Sequence, residues 1–334
     1  MTDRVALSVL ELAPVERGAP EAAAVAGARE VARWADRAGL RRFWVAEHHN
    51  SGGIASSAPA VLLAAVGAVT ERIRIGSGGV MLPNHPPLVV AESFRTLGAL
   101  YPDRVDLGIG RAPGTDPATA EALRRVPVDR FDSEVDDLLG FLRGTFPSEH
   151  RYEHIRAVPE SRPPQVWMLG SSVQSAQLAA LLGLPYAFAH HFFGARGAAA
   201  ALKTYRESFR PGPALSRPHA MVTAHVVCGE DDEHARWLAA PAVMSALGVG
   251  GAGRTDPFPT PKEAAAQEWS DEERRKAEAL FAEQAVGGAE RVARRLDELL
   301  EETGADELML TNNVTDVDER IRSYERVVEL FDRG

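Results

Sequence analysis

The chain has 334 residues, of which 37 are Lys or Arg and 47 are Asp or Glu, so its formal net charge at pH 7 is −10. This acidic balance argues against general binding to nucleic acids or anionic membranes, and no run approaches the roughly 20 apolar residues of a membrane span. Cys228 is the only cysteine, which excludes an intramolecular disulfide and a thiolate zinc cluster and fits the reduced cytoplasm.

Short apolar or β-branched runs alternate with helical patterns, which is typical of βα units and a parallel sheet. Strands are predicted over Val5–Leu10, Arg42–Ala46, Ile73–Ser77, Arg104–Ile109, Gln165–Leu169, Pro185–Ala189, Ala220–Val227 and Asp306–Leu310. Helices are predicted near residues 20–38, 57–70, 87–99, 131–143, 170–182, 195–209, from 232 onward, and 316–331. Eight strands, each followed by a helix, predict an α/β fold, the (β/α)8 TIM barrel, with residues 1–334 in a single domain.

An insertion at about 242–286 interrupts the alternation between strands seven and eight. It contains four glycines between residues 248 and 253, three prolines between 257 and 261, and a charged helix near 270–284. Glycine and proline supply hinges, so we expect this insertion to form a lid over the mouth of the barrel. The alternative is a surface excursion that takes no part in the site.

Polar side chains and glycines are concentrated where the predicted strands end. The segments are Glu47-His48-His49 after strand two, Ser77-Gly78-Gly79 after strand three, Gly110-Arg111 after strand four, Gly170-Ser171-Ser172 after strand five, His190-His191 after strand six and Thr311-Asn312-Asn313 after strand eight. The carboxyl ends of parallel barrel strands meet at one face, where barrel enzymes carry their active sites. We therefore expect these residues to converge on one site.

The segment from Gly170 to Ser175 follows a strand and begins a helix, so its free backbone N–H groups and the positive end of the helix dipole suit a phosphate group. Ser171, Ser172 and Ser175 add hydroxyls on the same turn; the alternative is a plain serine N-cap. Arg111, at the end of the neighbouring strand, adds a charge-assisted contact of about 1.5–3 kcal/mol, against about 1 kcal/mol or less for the dipole. We expect Arg111 to be the main anchor.

Five segments together resemble the luciferase-like monooxygenase family, the flavin-dependent group that includes bacterial luciferase. They are Phe43–Asn50 (FWVAEHHN), Ile73–His85 (IRIGSGGVMLPNH), Leu107–Gly114 (LGIGRAPG), Trp167–Ser172 (WMLGSS) and Gly304–Met309 (GADELM). The segments follow the family's order and are spread over nearly the whole chain. The resemblance implies a TIM-like barrel that binds reduced FMN, or in some relatives the deazaflavin F420, at the strand ends.

The resemblance also implies roles for individual residues. The family's phosphate anchor corresponds to Arg111, Ser171, Ser172 and Ser175, with the adjoining Gly110 and Gly170. The family's non-proline cis peptide beneath the flavin ring corresponds to Gly78-Gly79, and its essential histidine corresponds to His48. An imidazole with a pKa of about 6.5 can hold or move a proton beside a flavin C4a-peroxide at neutral pH. We expect Glu47 to fix the tautomer of His48, and His85 to line the mouth of the site.

Two departures from luciferase itself bear on the substrate. Gly110 stands where luciferase has a cysteine before the arginine, and the insertion at 242–286 shows no specific likeness to the luciferase lid. We therefore expect neither a long-chain aldehyde substrate nor light emission.

The sequence as a whole predicts a two-component flavin-dependent monooxygenase. Reduced FMN (FMNH2) arrives from a separate flavin reductase, O2 adds, and a small organic substrate is oxygenated; the absence of a second nucleotide-binding motif agrees with reductant made elsewhere. The resemblance implies a homodimer, and the acidic composition predicts binding to neither nucleic acid nor membrane. The alternatives are F420-dependent hydride transfer, a non-catalytic flavin-binding protein, and a metal-dependent barrel hydrolase built on His48, His49, His190 and His191, although no metal site is predicted.

Overall fold

The computed structural model describes residues 5–112, 114–123, 130–192, 196–253 and 255–332. Within these ranges the strands are β1 (Ala6–Glu11), β2 (Arg42–Val45), β3 (Arg74–Met81), β4 (Val105–Gly110), β5 (Gln165–Gly170), β6 (Tyr186–Phe188), β7 (Ala220–Cys228), β8 (Ala285–Gly287) and β9 (Glu307–Thr311). The helices are α1 (Glu21–Arg37), α2 (Pro59–Gly67), α3 (Pro87–Leu100), α4 (Pro117–Ala122), α5 (Phe131–Arg143), α6 (Val173–Leu181), α7 (Ala198–Ser208), α8 (Asp232–Leu247), α9 (Pro261–Ala266), α10 (Asp271–Glu283), α11 (Ala289–Thr303) and α12 (Val317–Asp332). The helix predicted near 195–209 begins at Ala198, and residue 195 lies outside the described residues.

Eight of these strands form one closed parallel barrel. Each of β1 to β5 pairs with the next strand, β6 pairs with β7, and β9 lies between β7 and β1. The predicted (β/α)8 barrel is therefore confirmed. The remaining strand, β8, extends the sheet beside the carboxyl end of β7, where Ala285 pairs with Val226. Its three residues are too few to show a period of two, which is why the sequence did not predict it.

Strand β3 differs most from its predicted range, because it continues past Ser77 through Gly78 and Gly79. Glycine is depleted in strands, so the strand pattern in the sequence stops at Ser77. The Gly78–Gly79 peptide is cis, as the resemblance implied, and the pairing of β3 with β4 shifts register between Ser77 and Val80. A Cβ on Gly79 would lie 2.9 Å from the carbonyl oxygen of Gly108, so this close approach requires glycine.

The interior of the barrel is filled below the carboxyl ends of the strands. The buried guanidinium of Arg42 donates hydrogen bonds to Asp106 at 2.7 Å and to Glu307 at 2.9 Å. Two residues further along β2, Nε1 of Trp44 donates to Asp106 at 3.1 Å, and the Trp44 ring meets that of Trp167 edge-on at 5.3 Å. The ion pairs and the two indoles close the barrel from below and leave open space at the carboxyl ends.

The main apolar core lies outside the barrel, between the strands and the helices. On β2, Phe43 and Val45 alternate with Arg42 and Trp44 and are fully buried in this outer core. The alternation follows from the period of two along a strand, which sends successive side chains to opposite faces. None of the helices in the described ranges has both the length and the apolar character that crossing a membrane requires.

The insertion between β7 and β9 packs on the loops that follow β1 and β2. The backbone of Phe258 donates a hydrogen bond to Val15 at 2.8 Å and accepts one from Arg17 at 2.7 Å. Gly52, in the loop after β2, approaches so closely that an added Cβ would lie 2.1 Å from the carbonyl oxygen of Thr255. The insertion therefore lies at the carboxyl ends of the barrel strands; its residue 254 is outside the described ranges.

Candidate active site

A cavity of about 560 Å³ opens at the carboxyl ends of the barrel strands, and we call it the first cavity. Nine of the ten site residues predicted from the sequence line it, namely His48, Gly78, Gly79, Gly110, Arg111, Gly170, Ser171, Ser172 and Ser175. The tenth, Glu47, is fully buried. Closure of the barrel thus brings together residues from four strand ends that are far apart in the sequence.

Arg111 and the first turn of α6 are neighbours because β4 and β5 are adjacent. Ile109 pairs with Met168, which sets Arg111 beside Gly170 at the ends of the two strands. Gly170 has no room for a side chain, because an added Cβ would lie 2.1 Å from Oγ of Ser175. The residues predicted to anchor a phosphate therefore lie together on the wall of the first cavity.

The serines of this turn have different tasks. The Ser172 hydroxyl accepts a hydrogen bond from the amide of Ser175 at 3.3 Å, so the N-cap interpretation holds for Ser172. The Ser175 hydroxyl donates to the carbonyl of Ser172 at 2.8 Å and lies 3.0 Å from the hydroxyl of Tyr186. Ser171 is exposed and lines the cavity. Ser172 and Ser175 thus hold the shape of the turn, and Ser171 supplies a hydroxyl to the cavity.

Tyr186, which no pattern in the sequence singles out, supports this turn from the core. Burial raises the pKa of Tyr186 to about 12, so its phenol stays protonated at neutral pH. The phenol donates a hydrogen bond to the carbonyl of Ser172 at 3.2 Å. A tyrosine in a short core strand carries no local signal of such a role, because the contact depends on the pairing of β5 with β6.

Apolar side chains and two glycines form another part of the first cavity. Leu10, Trp44 and Leu169 line it together with Gly78 and Gly79. A Cβ on Gly78 would lie 2.5 Å from Cδ1 of Leu10, and a Cβ on Gly79 would lie 3.0 Å from Cδ2 of Leu169. A side chain at either glycine would displace this wall, so the two glycines keep a smooth surface on which a flat ring can lie.

The Glu47 carboxylate has different partners from the one expected. It accepts hydrogen bonds from Nε2 of His49 at 2.9 Å, from Nε2 of His85 at 2.8 Å and from the amide of Met81 at 3.0 Å. Burial opposes its ionisation, but the hydrogen bond and charge of His85, with the bonds from His49 and Met81, outweigh burial and hold the pKa of Glu47 below its ordinary value. Successive residues of an extended chain point to opposite faces, so Glu47 points away from the cavity that His48 lines. Glu47 and His85 together tie the end of β2 to the loop after β3, and the role of Glu47 in fixing the tautomer of His48 stays a prediction.

The remaining histidines at the strand ends, His190 and His191, line different cavities. His191 lines the first cavity, and its Nδ1 lies 2.6 Å from Oγ1 of Thr223. Burial, with the charge of neighbouring histidines, lowers the pKa of His191 to about 3, so its imidazole is neutral at pH 7. His190 lines a separate, much smaller space beside Arg295. Among the described residues, no three His, Cys, Asp or Glu side chains are placed to hold one metal ion.

A second cavity, of about 380 Å³, adjoins the first. Leu12, His48, His191 and Phe192 line both cavities, so His48 stands at their boundary. The insertion contributes to the wall of the second cavity through Ser245, Thr255, Phe258 and Gln284, among others. No local sequence pattern indicated this cavity, because its walls come from the barrel and the insertion, which meet only in the folded chain.

Comparison with models of protein families matches residues 6–307 to the family described as luciferase-like monooxygenase. The chain belongs to the luciferase-like monooxygenase family. Membership confirms the resemblance seen in the sequence, and the monooxygenase names of the family and of a curated relative support an oxygen-incorporating oxidoreductase.

Relatives within the luciferase-like monooxygenase family match over half or more of the chain. A protein of Escherichia coli (strain K12) named luciferase-like monooxygenase is 40% identical over 337 residues, covering 99% of this chain and 98% of that protein. The N-acetyl-S-alkylcysteine monooxygenase of Bacillus subtilis (strain 168) is 42% identical over 194 residues, covering 57% of this chain and 58% of that protein. The crystal structure of apo-MsnO8 superimposes with a TM-score of 0.87 at 37% identity, covering 99% of this chain and 98% of that one.

More distant solved structures share the barrel fold alone. The oxygenating constituent of 3,6-diketocamphane monooxygenase from Pseudomonas putida, solved in complex with FMN, has a TM-score of 0.70 at 18% identity, covering 98% of this chain and 97% of that one. An F420-dependent secondary alcohol dehydrogenase has a TM-score of 0.67 at 16% identity, covering 98% of this chain and 99% of that one. The luciferase-like fold therefore accommodates both cofactor classes.

Proposed function

We propose that the protein is a flavin-dependent monooxygenase that uses reduced FMN and O2 to oxygenate a small organic substrate. In this proposal a separate flavin reductase supplies the reduced FMN. The observation that carries the proposal is the set of residues that line the first cavity. They combine an arginine beside a helix N-terminus, a glycine-lined apolar wall, and a histidine at the boundary with a second cavity. These three parts suit the phosphate, the ring and the reacting edge of one flavin.

The phosphate of FMN would be held by Arg111 and the first turn of α6. The N–H groups at the start of this nine-residue helix and its dipole attract an anion. A guanidinium–phosphate contact contributes about 1.5–3 kcal/mol, against about 0.3–1 kcal/mol for the dipole. Ser171 adds a donor, while Ser172 and Ser175 orient the turn, so Arg111 is the main anchor in this proposal.

The ring of FMN would lie on the wall that contains Gly78 and Gly79. An added Cβ at either glycine would meet neighbouring atoms at 3.0 Å or less, so a side chain would fill the space that the ring needs. Leu10, Trp44 and Leu169 make the rest of this wall apolar, which favours a flat aromatic ligand over water. The volume of about 560 Å³ is within the range of about 300–1,000 Å³ typical of small-molecule sites.

Bound reduced FMN supplies the electrons that activate O2. The residues of the chain bind it, orient it and manage protons around it. His48, at the boundary of the two cavities, stands where an imidazole can hold or move a proton between the cofactor side and the substrate side. The insertion covers the second cavity and restricts the access of water, which would otherwise divert the reaction.

F420-dependent hydride transfer is the second candidate, favoured by the barrel shared with the F420-dependent alcohol dehydrogenase. The family description and the names of the two curated relatives favour oxygenation. The relative that acts on N-acetyl-S-alkylcysteine makes small organic sulfides the first substrates to test. Titration with reduced FMN and with reduced F420 separates the two candidates, since only the true cofactor is expected to bind in the micromolar range.

Variants test the proposed site directly. Arg111→Ala is expected to weaken FMN binding about 10- to 100-fold, as measured by quenching of flavin fluorescence, because it removes the main anchor. The control is Arg156→Ala, at an arginine whose side chain is 77% exposed. His48→Ala is expected to bind FMN normally and to lose turnover, which also separates an enzyme from a non-catalytic flavin-binding protein.

The activity itself is tested by mixing reduced FMN and the protein under air with a panel of sulfides. We expect reoxidation of FMN to be delayed relative to free FMN, and mass spectrometry to show one added oxygen atom in the product. Reoxidation at the rate of free FMN together with no measurable FMN binding would contradict the proposal.

We also propose that the protein is a homodimer. Helix α2 contains no charged residue and leaves Val61 73% exposed, and on the adjacent α3 Val89 and Leu100 are 52% and 58% exposed. Large aliphatic side chains exposed together on neighbouring helices are typical of a protein–protein contact. Analytical ultracentrifugation measures the assembly directly.

A further inference from the structure

The second cavity is lined by three side chains whose buried polar atoms make no hydrogen bond to any described residue. These atoms are Oγ of Ser245, Oγ1 of Thr311 and Oδ1 of Asn313. The imidazole of His225 lines the same cavity and has the Gln284 side chain as its hydrogen-bond partner. His225 is 6% exposed and Thr311 is 1% exposed. A buried polar atom without a partner costs free energy, so such atoms gathered around one cavity point to a ligand that supplies the partners.

The barrel and the insertion both contribute to this set of residues, which we call the polar wall. His225 on β7 and Thr311 on β9 are paired residues of adjacent parallel strands, so their side chains project to the same face. Ser245 lies on α8, and Asn313 lies two residues beyond the end of β9. Because His48 lines the same cavity at its boundary with the first, a molecule held by the polar wall would lie next to the proposed cofactor site.

The polar wall is uncharged at neutral pH. Burial lowers the pKa of His225 to about 4, although its hydrogen bond with the Gln284 side chain favours the charged form, so the imidazole is neutral and carries one N–H donor and one acceptor nitrogen. The described residues that line the cavity include Asp116 and Asp256 but no lysine or arginine. An anionic ligand would therefore meet two carboxylates and no described cation.

The donors and acceptors of the polar wall match one kind of ligand group. Two hydroxyls, a neutral imidazole and an amide can donate to a carbonyl oxygen and at the same time accept from an N–H group. A carboxylate supplies acceptors alone and an ammonium supplies donors alone, so each would leave part of the wall unmatched. Leu12, Ile54 and Phe258 add apolar surface for the rest of the ligand.

We infer that the second cavity binds the substrate, and that the polar wall selects molecules with an apolar body and a neutral hydrogen-bonding group, such as an amide, over their carboxylate or ammonium counterparts. The inference rests on the proposed function for the identification of the ligand as the substrate. His225, Ser245, Thr311 and Asn313 are specificity-determining residues in this assignment.

Benzamide, benzoate and benzylamine test the inference, because they share one ring and differ in the charge of the polar group. Calorimetric titration of the full chain at pH 7 is expected to give an affinity for benzamide about tenfold or more above that for either charged probe. Thr311→Val removes one hydroxyl at nearly constant shape and is expected to weaken benzamide binding about fivefold, while Thr311→Ser is expected to restore it. Ser245→Ala, on the insertion, makes the same test at a site outside the barrel.

Equal or tighter binding of benzoate or benzylamine would overturn the inference. So would the absence of benzamide binding, or unchanged benzamide affinity in both Thr311→Val and Ser245→Ala. FMN titration of the same samples separates the two levels of the proposal. If FMN does not bind but the preference for benzamide is present, only the proposed function is wrong. If FMN binds normally but the preference for benzamide is absent, only this inference is wrong.

Discussion

Replacing Glu47 by glutamine tests the buried contacts that tie the end of β2 to the loop after β3. Glu47 is fully buried, and its carboxylate accepts hydrogen bonds from His49, His85 and the Met81 amide at 2.8–3.0 Å. Glutamine has nearly the same shape, but one carboxylate oxygen becomes an NH2 group that cannot accept a hydrogen bond. At least one hydrogen bond to a charged acceptor is therefore lost, and the new NH2 group faces an N–H group that previously donated to the carboxylate.

The expected magnitude follows from these contacts. A hydrogen bond to a charged group contributes about 1.5–3 kcal/mol, and the remaining bonds lose their charge assistance, so Glu47→Gln should lower the free energy of unfolding at pH 7 by about 2–4 kcal/mol. Urea denaturation followed by tryptophan fluorescence measures this change. The matched control is Glu278→Gln, at a 58% exposed carboxylate paired with Arg236, where we expect a change of about 1 kcal/mol or less.

The pH dependence of the same variant gives a second measurement. The pKa of Glu47 is lowered in the folded chain. The contribution of Glu47 to stability is therefore fully present when the pH is above 4.5, the ordinary pKa of a glutamate, and is lost as the pH falls through the pKa of the folded chain. The difference in stability between the wild-type chain and Glu47→Gln should therefore be present at pH 7 and shrink as the pH falls below 4.5. A stability difference under about 1 kcal/mol at pH 7, or one that stays constant into acid, would show that the Glu47 carboxylate does not stabilise these contacts.

Three further substitutions address the barrel, the anchor and the assembly. Arg42→Met should lower the free energy of unfolding by about 2–3 kcal/mol in urea denaturation, because it removes the buried cation shared by Asp106 and Glu307, which keep their pairs with Arg74 and Arg41; wild-type stability would contradict this. Gly170→Ala should weaken FMN binding about tenfold with the fold retained, because the added Cβ would lie 2.1 Å from Oγ of Ser175; unchanged FMN affinity would show that the turn adapts. Val61→Asp should convert the proposed dimer to a folded monomer in analytical ultracentrifugation, and a persisting dimer would place the interface elsewhere.

Local patterns in the sequence were sufficient for the barrel and for most of the first cavity. The alternation of strands and helices is a short-range property, and the ends of parallel strands must meet once the barrel closes. Glycines and serines at those ends, such as Gly78, Gly79 and the turn from Ser171 to Ser175, therefore indicated a common wall before any contact was known. The structure brings nine of the ten predicted residues to that wall.

Contacts between distant segments were decided only by the tertiary structure. The partners of Glu47 lie on the loop after β3, Tyr186 reaches the start of α6 through strand pairing, and the polar wall joins two barrel strands to the insertion. None of these contacts has a period or a motif, because each depends on how the separate elements pack. Local patterns along the chain thus specify which elements form and where their polar ends converge. Which side chains meet depends on packing, because side-chain contacts across a barrel depend on strand register and on how the insertion folds over the strand ends.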